Sequence, residues 1–427
     1  MNKTSYSQIE ETVYSKKMGN GLNVFLFPKK EMSKTYSLFS TNYGSIDQTF
    51  IPAGKEEMIT VPEGIAHFLE HKMFEKEDRD VFADFGKQGA SANAYTSFTR
   101  TAYLFSATNH IEENIQTLLN FVQDPYFSEA SVEKEKGIIE QEIQMYDDQP
   151  NFQAFMGTIK SLFKNHPVNI DIAGTVDSIQ QITKDDLYTC YHTFYHPENM
   201  TLVIAGNFDP EQIMQLIEEN QNQKDFPKLD AIVREYPPEP EEVAMKDNKV
   251  TMSVSIPKCT VGVKDSVSEL TGEAFLKKEV LTEMLLDYYY SRSGRFYEEL
   301  YNENLIDDSF FASSSLERTF GYTLIGSNTK EPETFANKVK EQLLSARDLE
   351  ITEEEFDRMK KKQIGLLLRG MNSLEFIANN FIYYNQVGID LFEVVPYVQS
   401  LQLEDILEFQ NNWIDEDQLA VCTILPE

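Results

Sequence analysis

The chain has 427 residues, more than one ordinary hydrophobic core organises, so two or more domains are expected. Its 41% hydrophobic and 25% charged residues are those of a globular protein, and no run reaches the roughly 18 apolar residues of a membrane span. A formal net charge of −32, from 70 acidic and 38 basic side chains, repels nucleic acid and excludes a polyanion-binding role. Spread over the surface, that charge serves solubility; lining a cleft, it would favour basic or neutral peptides. The N-terminus, through Lys17, has neither an apolar h-region nor a small-residue cleavage site, so no secretory signal is expected. Strands are predicted at 23–27 and 35–40, then a helix over 60–74 with Pro62 near its first position. Residues 91–106, rich in Ala, Thr, Tyr and Phe, alternate as a strand does. Helices follow near 111–123, 131–146 (with Ser131 as N-cap) and 183–194, and a strand at 200–206 closes this half. The mixture predicts an α+β fold. Cys190, Cys259 and Cys422 are too few and too scattered for a disulfide framework or a metal spacing, which makes cytoplasm the expected compartment.

The second half echoes the first at a fixed offset. Ile182-Thr-Lys-Asp-Asp-Leu187, Phe194 and Met200-Thr-Leu-Val-Ile-Ala205 return as Leu401-Gln-Leu-Glu-Asp-Ile406, Trp413 and Leu419-Ala-Val-Cys-Thr-Ile424, each 219 residues on. The acidic helix starts at Ser131 and Thr352 agree within a small indel. A solenoid repeats every 20–50 residues or so, whereas this period points to duplication of a whole domain. Between the copies, residues 235–242 hold four glutamates and three prolines and read as extended chain. The expected division is a domain over 1–230, a linker over 231–247 and a homologous domain over 248–427.

Chemistry concentrates at Gly64-Ile-Ala-His67-Phe-Leu-Glu70-His71, a His-x-x-Glu-His motif inside the predicted helix. Histidines four apart share a helix face, so both imidazoles can reach one metal ion. Glu70 flanks that face and can take a proton from a water held there without being a ligand. An ordinary helix that happens to carry two histidines is the competing reading. The chain has only six histidines, however, and Ile65, Phe68, Leu69 and Phe74 would bury the remaining faces. A partly buried triplet of two imidazoles and a carboxylate needs a partner, and a cation supplies one. Catalytic zinc takes three protein ligands and keeps one position open. Helix 131–146 offers Glu133 with Glu140 and Glu135 with Glu142, each pair seven apart on one face. Spacing does not choose between the pairs.

The motif, followed by Glu135-Lys-Gly-Ile-Ile-Glu-Gln-Glu142 and accompanied by Asn93-Ala-Tyr-Thr96 and Tyr195-His-Pro-Glu-Asn199, resembles the M16 (pitrilysin-like, inverzincin) zinc metallopeptidases. The resemblance spans nearly the whole chain and falls within a bacterial branch of the family. It implies one zinc per chain, held by His67, His71 and Glu142, with Glu135 in support and Glu70 as the base. It also implies two homologous α+β domains forming half of a clam-shaped chamber, with the metal site in 1–230 and lost from 248–427. Gln363 stands where Glu142 would, and no histidine follows His196. Asn93, Ala94 and Tyr95 resemble the family's substrate strand, which pairs with an extended peptide, although Asn93 also reads as an ordinary strand residue. One departure concerns the Arg/Tyr pair that clamps the substrate carbonyl in active members, since Tyr301 and Asp308 occupy those positions. The resemblance then implies a peptide-processing zinc endopeptidase, the zinc-bearing subunit of a heterodimer whose related M16-like partner brings the Arg/Tyr pair. The alternative is a non-catalytic scaffold or core subunit.

Overall fold

The computed structural model describes residues 1–7, 9–229, 231–265 and 269–427. These form two compact α+β units, each built on one sheet. The first unit comprises Met1–Ile143, Ile170–Tyr236 and Leu368–Gln386. Its sheet runs Asn2–Tyr6, Glu11–Lys17, Asn23–Pro28, Met200–Gly206, Thr35–Thr41, Thr101–Ala107, Ser91–Thr96. Only Asn23–Pro28 and Met200–Gly206 pair in parallel. Thr35–Thr41 is buried at every position because both sheet faces are covered. Val24, Leu26, Phe39, Phe105 and Ile204 pack on one face with Phe68 and Leu69 of the helix Ile65–Met73. Phe25 and Phe27, alternating to the other face, meet Phe381 of the helix Leu374–Gln386 at ring-centroid distances of 4.6 and 5.0 Å.

The second unit comprises Gln144–Asn169, Pro237–Leu367 and Val387–Glu427. Its sheet runs Asp247–Met252, Leu419–Pro426, Lys258–Asp265, Gly321–Asn328, Phe311–Leu316, with the first pair parallel and the rest antiparallel. That is the order and direction of the last five strands of the first sheet, so the 219-residue echo is a repeated fold. The echoed segments are the helices Lys184–Phe194 and Leu403–Asn411 and the strands Met200–Gly206 and Leu419–Pro426. One helix of each copy crosses over. Pro150–Leu162, from the first half of the sequence, belongs to the second unit, and its counterpart Leu374–Gln386 belongs to the first. Gly157 lets the crossing helix lie close to its sheet, since a Cβ there would stand 2.6 Å from Cys422 Sγ.

Three local expectations are corrected. The helix expected over 60–74 begins at Ile65, because Ile59–Thr60 pairs with Thr49–Phe50 and Gly64 turns the chain at φ +86°. A Cβ on Gly64 would meet the Ala173 carbonyl oxygen at 2.3 Å. Residues 91–106 form two strands of a hairpin, Ser91–Thr96 and Thr101–Ala107, turned by Ser97, whose N–H donates to Arg100 O at 2.8 Å. The acidic helix starts at Glu129 and is capped by Ser128, whose Oγ accepts from Ser131 N at 3.2 Å, so Ser131 is not the cap. Thr352 caps the helix Glu353–Gly370 as expected, with Glu355 returning a bond to its N–H at 2.9 Å.

The Pro- and Glu-rich stretch is extended and pinned. Glu239 accepts backbone bonds from Lys164, Asn165 and His166 at 2.9, 2.6 and 2.7 Å and pairs with buried Lys264 at 2.5 Å. Among the described residues, no helix is long and apolar enough to cross a membrane.

Candidate metal centre

The helix Ile65–Met73 drives Phe68, Leu69 and Met73 into the core of the first unit, which turns His67, Glu70 and His71 toward the acidic helix Glu129–Asp147 and the strand Ser91–Thr96. His67 Nε2 and His71 Nε2 lie 3.8 and 3.6 Å from the same oxygen, Glu142 Oε2. Those separations are too long for hydrogen bonds. They suit three atoms sharing an ion, since ligands about 2.0–2.1 Å from a tetrahedral zinc stand roughly 3.3–3.4 Å from one another. One ligand atom from each of His67, His71 and Glu142 falls within a common 4.8 Å span. Two imidazoles and one carboxylate form a donor set that zinc accepts.

The surroundings prepare the donors. Burial, reinforced by the neighbouring His71, lowers His67 to a pKa of about 3 and keeps its ring neutral, as a ligand must be. Burial would lower His71 too, but its bond to Glu135 and the charges of Glu70, Glu135 and Glu142 outweigh this and raise it. Burial raises the Glu70 carboxyl, partly offset by a hydrogen bond from Thr96 and by His71, with Glu142 pushing further upward. His71 Nδ1 lies 3.0 Å from Glu135 Oε1. Behind Glu135 sits Lys72, which is fully buried, 3.9 Å from Glu135 Oε2 and paired with Glu75.

The two glutamate pairs left open by spacing thus separate: Glu135 and Glu142 face the histidines. Glu133 is exposed and pairs with Lys136 at 2.6 Å, and Glu140 lies outside the cluster. In the second unit, Gln363 donates to Glu283 at 2.6 Å, an amide–carboxylate bond with no histidine. Tyr301 is 61% exposed and stacks on Tyr297, and Asp308 is exposed.

Asn93, Ala94 and Tyr95 lie on the terminal strand of the seven-stranded sheet, whose outer edge pairs with no strand among the described residues. Asn93 Oδ1 accepts from Ala94 N at 2.9 Å, so this N–H points away from the neighbouring strand. Tyr95 turns from the edge and donates to Asn379 Oδ1 at 2.7 Å. Two residues that sequence reasoning missed stand beside the motif. Thr96 donates to Glu70 Oε2 at 2.7 Å, and Lys72 supports Glu135. A lysine inside an apolar helix face was a readable signal for Lys72; Thr96 closes the Asn93-Ala-Tyr-Thr96 segment, but nothing in the sequence tied it to Glu70.

Residues 50–176 match the family described as Insulinase (Peptidase family M16), and residues 181–363 match the Peptidase M16 inactive domain. The chain is 50% identical over 422 residues to an uncharacterized zinc protease, YmfH, of Bacillus subtilis (strain 168), covering 99% of this chain and 98% of that one. It superposes with a TM-score of 0.93 and 40% identity on an M16-like peptidase from Alicyclobacillus acidocaldarius, covering 98% and 99% of the two chains. A shorter stretch is 27% identical to a mitochondrial-processing peptidase subunit beta of Schizosaccharomyces pombe, covering 39% and 38%.

Proposed function

The chain belongs to the M16 family of zinc peptidases, and on that premise we propose that it is an endopeptidase cutting peptides or short unfolded segments at zinc held by His67, His71 and Glu142. The convergence of His67 Nε2, His71 Nε2 and Glu142 Oε2 beside an uncoordinated Glu70 carries the reading. Bound there, zinc would polarise the scissile carbonyl and make water a nucleophile near neutral pH. Glu70 takes the proton of the attacking water and returns it to the departing amine. A raised carboxyl pKa suits a group that must both accept and release that proton. The peptide lies as an added strand along Ser91–Thr96, where Asn93, Ala94 and Tyr95 form its backbone track and a peptide carbonyl replaces Asn93 Oδ1 as the acceptor of the outward Ala94 N–H. A non-catalytic scaffold has no use for three ligand atoms converging beside a carboxylate, one of them on an imidazole that burial keeps neutral. Three free, buried cysteines support a cytoplasmic setting.

The enzyme needs a partner. Tyr301 and Asp308 stand where active members carry Arg and Tyr, so this chain supplies no guanidinium to the developing oxyanion. One lost oxyanion donor costs about 2.7–4 kcal/mol of transition-state stabilisation. A second copy of the same chain repeats the defect, so the partner is a related chain carrying the Arg/Tyr pair. The relative whose printed name makes it a subunit of a processing peptidase supports an assembly of this kind. The test is peptidase activity and zinc content of this chain alone, of Glu70→Gln, and of each mixed with the related chain from the same host. Expected are about one zinc in both forms and cleavage by the wild-type mixture only. A Glu70→Gln mixture as active as wild type overturns the proposed chemistry, and an isolated chain as active as the mixture overturns the partner.

A further inference from the structure

The geometry points to Thr96 as the residue that aims Glu70, holding one carboxylate oxygen so that the other is turned to the attacking water. This role rests on the reading of Glu70 as the base. Thr96 Oγ1 donates to Glu70 Oε2 at 2.7 Å, the one hydrogen bond the carboxylate makes among the described residues. Glu70 is only 8% exposed, so bulk water does little to hold its other oxygen. A carboxylate fixed at a single oxygen can pivot only about that bond, and without it the side chain is free to turn between rotamers.

The neighbourhood explains why this hydroxyl stays committed. Thr96 is the last residue of its strand and pairs directly with Thr101, which places both side chains on one face. Their oxygens lie 3.3 Å apart, and Thr101, fully buried, donates its only proton to the Tyr43 carbonyl at 2.9 Å. The Thr96 proton therefore has two acceptors in reach, the neutral Thr101 oxygen and the nearer, charged Glu70 oxygen. The charge-assisted bond is the stronger. A β-branched side chain has few rotamers, so the donor itself is stiff. Thr96 is in this sense a positioning residue: it acts on the reaction through Glu70.

Valine keeps the shape of threonine without the hydroxyl, and serine keeps the hydroxyl without the methyl. The full chain is prepared as Thr96→Val, Thr96→Ser and Glu70→Gln, and assayed in the assembly that cleaves peptide. Each variant is expected to bind about one zinc, measured directly on the protein. In Thr96→Val, kcat is expected to fall about 10- to 100-fold at unchanged KM, while Thr96→Ser stays within about threefold of wild type. Crystal structures give a readout independent of turnover, with the Glu70 carboxylate in more than one orientation in Thr96→Val and in a single one in wild type and Thr96→Ser. A Thr96→Val protein with wild-type kcat, with an unmoved Glu70 carboxylate, or without zinc overturns the role, as does failure of serine to restore it. If Glu70→Gln turns over normally, the base assignment itself has failed. If Glu70→Gln is dead while Thr96→Val is fully active, only the positioning role has failed.

Discussion

Glu135 and His71 meet on the side of the imidazole away from Glu142: Oε1 of Glu135 is 3.0 Å from Nδ1, while Nε2 faces Glu142 at 3.6 Å. A carboxylate at Nδ1 places the ring proton there and leaves the Nε2 lone pair for a metal. Replacing Glu135 with Gln removes the charge and loosens the ring. Zinc affinity of Glu135→Gln should drop about 10- to 100-fold, measured by competition with a chromogenic chelator. Unchanged affinity would show that His71 is oriented by its helix alone.

The acidic helix presents Glu142, not Glu140, to the histidines. Glu142→Gln should therefore purify with little or no zinc, while Glu133→Gln and Glu140→Gln keep about one per chain, as read by atomic absorption. Zinc retained by Glu142→Gln and lost from Glu140→Gln would mean that the helix is rotated from the position described.

Asp47 is 4% exposed and bonded to Arg234 Nε and Tyr236 Oη, each at 2.8 Å, and to Gly44 N at 2.9 Å. Burial nonetheless raises its carboxyl pKa, against the pull of Arg234 and the hydrogen bonds. Arg234→Met should destabilise the chain by about 3–5 kcal/mol near neutral pH, because an unpaired charge is left inside. A carboxyl raised in the folded state binds a proton that the unfolded chain has released, so its contribution improves as pH falls. The deficit of Arg234→Met should then shrink in urea melts on going from pH 7 toward pH 5. A deficit constant with pH would mean that Asp47 stays charged without its partner.

Burial, with Lys264 adding to it and Glu239 opposing, lowers His166 to a pKa of about 4. Its Nδ1 accepts from Val168 N at 3.1 Å, and its Nε2 lies 3.2 Å from Thr319 Oγ1. Below about pH 6.5 the unfolded histidine takes up a proton that the folded one refuses, so stability falls with pH down to the folded value. Between pH 7 and pH 5 this amounts to about 2 kcal/mol. His166→Gln should flatten that part of the stability profile. A profile parallel to wild type would assign the acid sensitivity to other groups.

The sequence made the motif legible because helical spacing is local: His67 and His71 share a face whatever surrounds them. The fold class and the duplication were legible for the same reason, as repeated short patterns. The start of the motif helix was not, since it depends on Gly64 passing the Ala173 carbonyl, a contact over a hundred residues away in the chain. Nor was the hairpin in 91–107. Its turn lacks the glycine or asparagine that marks one, and Ser97 closes it instead with side-chain and backbone bonds to Arg100. Spacing alone left Glu140 and Glu142 both open, because the choice turns on which face of one helix meets another; the resemblance pointed to Glu142, the residue that the fold turns to the histidines. The bond from Thr96 to Glu70 joins two elements whose approach only the folded sheet defines.

The crossed helices also set an order of events during synthesis. Phe25 and Phe27 leave the ribosome more than 350 residues ahead of Phe381, which covers them. Until that segment emerges, the first sheet carries an open aromatic face, and a nascent chain halted at the Pro- and Glu-rich stretch would expose it. The first unit therefore closes this face of its sheet only with a segment delivered from far along the chain, after four of the five strands of the second unit's sheet have already emerged.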